Sequence, residues 1–311
     1  MNAEQARRPA IGGSSLLIGL ASLIGLAVFL YPFALPAIGQ ERSTGSARSG
    51  EAPLLLMALM VLCLAAILRE LDPMRAGDGA ARTVALLASM VAIGAVSRLI
   101  PSFLGATPIF LMIILGGYVF GPAFGFQLGA LTLAVSAFIT GGIGPWVPYQ
   151  MIGVGWVGLA AGWLPARGPR RQQLAVLAVY GAICGLLYGA LLNLWFWPFA
   201  APGGEVSPGL SWNPGLSLAE AAERYLRFYL ITSAPYDLFR AAGNVVLVLA
   251  LGRPLLVTLE RYRDRVHWQR WVREPDATMT ANPWNEMQTN GRINTSPLSR
   301  LGMDAGTPVR P

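Results

Sequence analysis

The sequence predicts an all-α fold, a polytopic membrane helix bundle. Three observations predict it. Of the 311 residues, 54% are hydrophobic and 13% charged, and the mean hydropathy is +0.51. The apolar residues gather into eight spans separated by turns rich in Gly, Pro and Arg. All 23 basic side chains are arginine, and most flank those spans. The formal charge of +7 is therefore spread along the ends of the spans rather than gathered into a nucleic-acid surface. Without lysine the chain cannot carry a G-x-x-x-x-G-K-[ST] loop, whose lysine reaches the β/γ-phosphates. Any ATP-driven step needs another protein to hydrolyse the ATP.

A helix needs about 20 apolar residues to cross the hydrocarbon core of a bilayer. The first span is 13–38. No charge falls between Ile11 and Gly39. That stretch is long for a signal-peptide core and a second span follows soon after, so it reads as a retained helix. Segment 40–51 is a polar outer loop, 52–68 the second span, and 69–82 a cytoplasmic linker. The third span is 83–100. The fourth, 109–120, is short and runs into Gly116-Gly117 and Gly121-Pro122, which predicts a tight hairpin to the fifth at 122–140. The sixth and seventh are 150–165 and 174–197. The outer connection 198–225 is rich in Pro and Gly, and its Ser217-Leu-Ala-Glu220 matches a helix capping box. A helix is expected to begin there, outside the membrane, and to enter it near Pro235, leading into the last span, 233–257. From Thr278 the tail is polar and without apolar periodicity, which predicts disorder. These limits divide the chain into accessory helices and linker (1–82), a six-helix core (83–260) and a cytoplasmic tail (261–311).

Arginine bias orients the spans. Arg7 and Arg8, then Arg69, Arg75 and Arg82, then Arg167, Arg170 and Arg171, and finally Arg253 through Arg273 all fall on one side of an eight-span chain. The positive-inside rule puts that side, and both termini, in the cytoplasm of a cell membrane protein. Cys63 and Cys184 fall inside spans and read as packing residues. His267 stands alone beyond the last span, and no residues have metal-ligand spacing.

Ionisable groups inside a membrane are costly and mark function by default. Arg98 ends the third span, and Asp237 and Arg240 begin the last one. Asp237, Arg240 and Asn244 share one helix face. They fit either an internal ion pair with a snorkelling arginine or a ligand-facing row. The turn GGIGPWVPYQ at 141–150 sets Trp146, Tyr149 and Gln150 in a rigid Gly/Pro frame. Asn193, Trp195 and Trp197 end the seventh span on the same side. An interfacial aromatic belt accounts for the Trp and Tyr residues. A small-molecule pocket, with apolar walls and a few polar groups, also accounts for the others. The third span carries Ala81-x-x-x-Ala85 and Ala88-x-x-x-Ala92, spacings that permit close helix approach, inside this chain or to a partner.

Arg98 at the end of an alanine-rich span, the stretch 116–165 with its Gly144-Pro-Trp-Val-Pro-Tyr-Gln150 element, and Pro235–Asn244 together resemble the substrate-binding (S) component of an energy-coupling factor (ECF) transporter. The resemblance covers 83–257 and leaves out the first two spans and the tail. It implies an S-component-like core of six helices with two extra N-terminal transmembrane helices. It also implies capture of a vitamin or related micronutrient, of a cobalamin or cobalamin-precursor type. The site residues expected are Arg98, Trp146, Tyr149, Gln150, Asn193, Trp195, Asp237, Arg240 and Asn244. The implied partners are a transmembrane coupling subunit and two cytoplasmic ATPases. In the family an alanine motif on the first core helix contacts the coupling subunit. Ala88 and Ala92 match it best, followed by Ala81 and Ala85. No cofactor and no nucleic acid are expected. Two other classes remain. An intramembrane lipid-modifying enzyme would use Asp237 as base, but no second carboxylate or histidine in the spans completes an acid/base pair. A purely structural subunit leaves the outer polar cluster without a role.

Overall fold

The structure is a computed structural model that describes residues 13–34, 54–55, 57–66, 80–100, 107–166, 168–199, 209–212 and 215–266. The expected loop 40–51, most of the linker 69–82, His267 and the tail from Thr278 lie outside the described residues. The elements are α1 (Gly13–Ala34), α2 (Met57–Ala66), α3 (Ala80–Ser97), α4 (Ile109–Phe120), α5 (Pro122–Thr140), α6 (Val147–Ala161), α7 (Arg170–Phe196), a 3-10 turn (Trp197–Phe199), α8 (Leu218–Thr232) and α9 (Ala234–Val266). No strand occurs among the described residues. Each expected span overlaps a helix. Pro122–Thr140, Arg170–Phe196 and Ala234–Asp264 are long and apolar enough to cross a bilayer by length and composition.

Helix α4 has 12 residues, ten of them buried. At 1.5 Å per residue it is about 18 Å long, short of a ~30 Å hydrocarbon core. Its place is the centre of the bundle, where other helices shield its ends. Gly121 joins it to α5 as a one-residue hairpin with φ of +98°, in the left-handed region that glycine tolerates. The N–H of Gly121 caps α4 by donating to the Gly117 carbonyl at 2.8 Å.

Small residues set the two tightest packings. A Cβ on Gly117 or Gly125 would collide with the backbone carbonyl of Gly158, so α4, α5 and α6 meet backbone to backbone there. Gly129 extends the α5 stripe, and a Cβ there would collide with the Val154 carbonyl. On α7, Gly181, Gly185 and Gly189 lie against Asn244, Ala241 and Asp237 of α9. The two helices run antiparallel. At their far end Arg170 forms a two-pronged ion pair with Glu260, at 3.0 and 2.5 Å. The opposite face of α7 exposes Val179, Ile183 and Leu187, the apolar surface expected against lipid.

Helix α1 packs on α6, with Gly25 against Ile152 and Phe29 against Tyr149 and Trp156. Cys63 and Cys184 are both buried free thiols. The capping box of α8 forms as the sequence predicts. Ser217 donates its N–H and hydroxyl to Glu220 at 2.9 and 2.7 Å, which holds that carboxyl below its usual range. The expected continuous entry into the last span is corrected. α8 stops at Thr232, and α9 starts afresh at Ala234 after the single residue Ser233. On α8, Phe228 is buried and Leu226 and Leu230 are exposed. The sixth helix starts three residues before the expected 150, because Pro148 is tolerated in the first turn of a helix.

Candidate functional site

The polar groups converge at one end of the bundle, where α3, α5 and α7 finish and α6 and α9 begin. Arg98 lies just past the end of α3. Its guanidinium donates to Ser136 Oγ on α5 at 2.9 Å and to Gln150 Oε1 on α6 at 3.3 Å. Arg98 and Gln150 are half-buried and Ser136 fully buried. Among the described residues no carboxylate pairs with Arg98. Its described partners are both neutral dipoles.

An aromatic wall stands at the same end of the bundle. Tyr149 and Trp195 are buried, with ring centroids 4.2 Å apart. Phe29 of α1 meets Tyr149 edge-on at 5.3 Å. Tyr188 of α7 packs edge-on against Phe110 of α4 at 5.1 Å, and Arg240 lies over the Tyr188 ring, 5.4 Å from its centroid.

Asp237 is completely buried and ion-paired with Arg240. Ser233 donates to its other oxygen at 3.0 Å. The carboxylate occupies the space that a side chain at Gly189 would fill. Arg240 also donates to the Gly185 carbonyl at 3.3 Å, and Asn244 Nδ2 donates to the Gly181 carbonyl at 2.9 Å. The row Asp237, Arg240, Asn244 therefore clamps α9 to the glycine face of α7. Asn244 Oδ1 is buried and has no hydrogen-bond partner among the described residues.

The structure brings Arg98 and Gln150 into contact, stacks Tyr149 on Trp195, and sets Asp237, Arg240 and Asn244 along one seam. It places Trp146 at the rim, 45% exposed and folded over Gly144. Asn193 is also peripheral, donating at 2.8 Å to Thr232 at the end of α8. Ser136, Tyr188, Ser233 and Phe29 belong to the cluster and were not singled out from the sequence. Only spacing could have found Tyr188, one residue before Gly189 in the G-x-x-x-G-x-x-x-G row of α7. At the start of the bundle's third helix, Ala81, Ala85, Ala88 and Ala92 are all exposed on one face of α3.

A family model described as ECF transporter, substrate-specific component, matches residues 82–252, more than half of the chain. The chain belongs to this family. As an S component it is a membrane transporter subunit, with a small-molecule substrate and an ECF module as partner at that general level. The match starts in the first turn of α3 and ends inside α9, so it includes all nine expected site residues and leaves out α1. No curated protein and no solved structure matches the chain significantly.

Proposed function

We propose that this S component captures a vitamin-like small molecule at the Arg98 end of the bundle, facing outward, and passes it inward. A transmembrane coupling subunit and two cytoplasmic ATPases would power the step. A cobalamin-type compound or precursor is the substrate we favour. The observation that carries the reading is Arg98 held by Ser136 and Gln150 at the end of the bundle that also holds the Tyr149–Trp195 wall. Such a group combines apolar walls with a few orienting polar atoms, the composition of a small-molecule site.

The orientation, with both termini cytoplasmic, is supported by arginines at the other end: Arg82, Arg170, Arg171, Arg253, Arg261 and Arg263. The exposed face Ala81, Ala85, Ala88 and Ala92 is the proposed docking surface for the coupling subunit. The proposed division keeps residues 1–82 as accessory helices, 83–260 as the substrate-binding core and 261–311 as the tail.

The test is purification of the full chain and identification of its bound small molecule by mass spectrometry, followed by binding measurements on Arg98→Ala. Losing a charged hydrogen bond costs on the order of 1.5–3 kcal/mol, roughly tenfold to over a hundredfold in affinity. Unchanged affinity in Arg98→Ala would remove Arg98 from the site. Absence of any specific small-molecule ligand would sink the reading.

A further inference from the structure

We infer that the ligand of this site carries an anionic group, a carboxylate or phosphate, that pairs with Arg98. The inference rests on the substrate-capture reading above and narrows it by charge. Among the described residues of the cluster, Arg98 and Arg240 are cations and Asp237 is the anion. Arg240 is neutralised by Asp237, and Ser233 and the Gly189 gap fix that carboxylate in place. Arg98 has no such counter-charge among the described residues. Its two described partners, Ser136 Oγ and Gln150 Oε1, are neutral acceptors.

Two physical points turn this imbalance into a ligand property. A guanidinium carries five N–H donors in a planar fork that fits carboxylate and phosphate two-pronged. The described acceptors engage only the NH1 and NH2 groups, one bond each, so donors remain free for a ligand. A half-buried cation without a counter-ion is also a standing cost, which an arriving anion relieves. Arg240 and Arg170, which tie α7 and α9 together, each have a carboxylate partner. Gln150 holds the guanidinium through its Oε1, which leaves the Gln150 amide nitrogen as a further donor at the same spot. The site thus offers donors and positive charge, and the matching ligand group is an acceptor with negative charge.

The experiment uses the full chain in detergent–phosphatidylcholine micelles. The probe is an aqueous small-molecule extract of the source cells, split on an anion-exchange resin into a retained and a flow-through fraction. Thermal unfolding is followed for wild type, Arg98→Gln and Asp237→Asn. Two results are expected. The retained fraction raises the unfolding temperature of wild type, and Arg98→Gln requires more than about tenfold more of it for the same effect. Without ligand, Arg98→Gln unfolds at or above the wild-type temperature, whereas Asp237→Asn unfolds well below it. Stabilisation by the flow-through fraction alone overturns the anionic class and leaves substrate capture standing. Stabilisation by neither fraction overturns both. In that case, loss of co-purified acidic phospholipid in Arg98→Gln would identify a lipid headgroup as the counter-ion. Arg98→Gln as unstable as Asp237→Asn makes Arg98 a scaffold residue and overturns the inference.

Discussion

Asp237 and Arg98 show how differently two charged residues can stand in one bundle. Asp237 is wholly buried and meets Arg240, Ser233 and the gap at Gly189. Removing one partner of a buried ion pair leaves the other charge stranded, at about 3–5 kcal/mol. Asp237→Ala is therefore expected to destabilise the chain by that order, and Arg240→Ala similarly. The double variant should lose clearly less than the two losses added together, because neither charge is then left alone. Unfolding titrations of the three variants check this, and strict additivity would show that the pair is uncoupled. Arg98, by contrast, joins three helices through neutral partners. The same comparison at Arg98 should show binding lost before stability.

At the scale of helices, glycine position rather than glycine number decides tolerance. Gly125 meets the Gly158 carbonyl, while Gly19 on α1 has open space where its Cβ would be. Gly125→Leu should prevent α5 and α6 from closing and abolish folded protein on size-exclusion chromatography. Gly19→Leu should leave the profile unchanged. Equal outcomes at the two positions would refute the close-approach packing. The α3 stripe is the reverse case, since Ala88 and Ala92 are exposed and contribute little to the packing of their own chain. Ala88→Trp or Ala92→Trp should block assembly with the coupling subunit and transport while sparing ligand binding by the isolated chain. Small residues permit close approach, and lipid gives no ordinary hydrophobic force to rescue a poor fit. Normal assembly in those variants would place the docking surface elsewhere. Loss of ligand binding as well would make the alanines internal packing positions.

For the whole molecule, membership of the S-component family and the absence of lysine point the same way. The isolated chain is expected to show no ATP hydrolysis, and a complex co-purified with its ATPase partners to show it. Robust turnover by the purified chain alone would contradict this. Helix α1 lies outside the family match yet is part of the packing, since Phe29 is buried against Tyr149 and Trp156. Phe33 likewise meets Trp197 and Trp212 near the end of α7.

The sequence by itself determined the helical class, the rough position of the described helices, the α4–α5 hairpin and the start of α8. Each of these depends on neighbours in the chain: apolar run length, Gly121 at the hairpin turn, Ser217 facing Glu220. It also placed Arg98, Tyr149, Gln150, Trp195 and Asp237 at one end, because alternating spans bring every second boundary to the same side. Only the tertiary structure decided which of these residues meet. Ser136 and Gln150 lie 38 and 52 positions from Arg98. Gly185 lies 55 positions from Arg240. Helix rotation sets those encounters, and local composition does not encode rotation when a span is apolar on every face. For that reason the sequence left Asp237 open between ligand contact and internal ion pair. The glycine row of α7 and the buried seam with α9 show the Asp237 carboxylate paired with Arg240, an encounter that only the packing of the two helices decides.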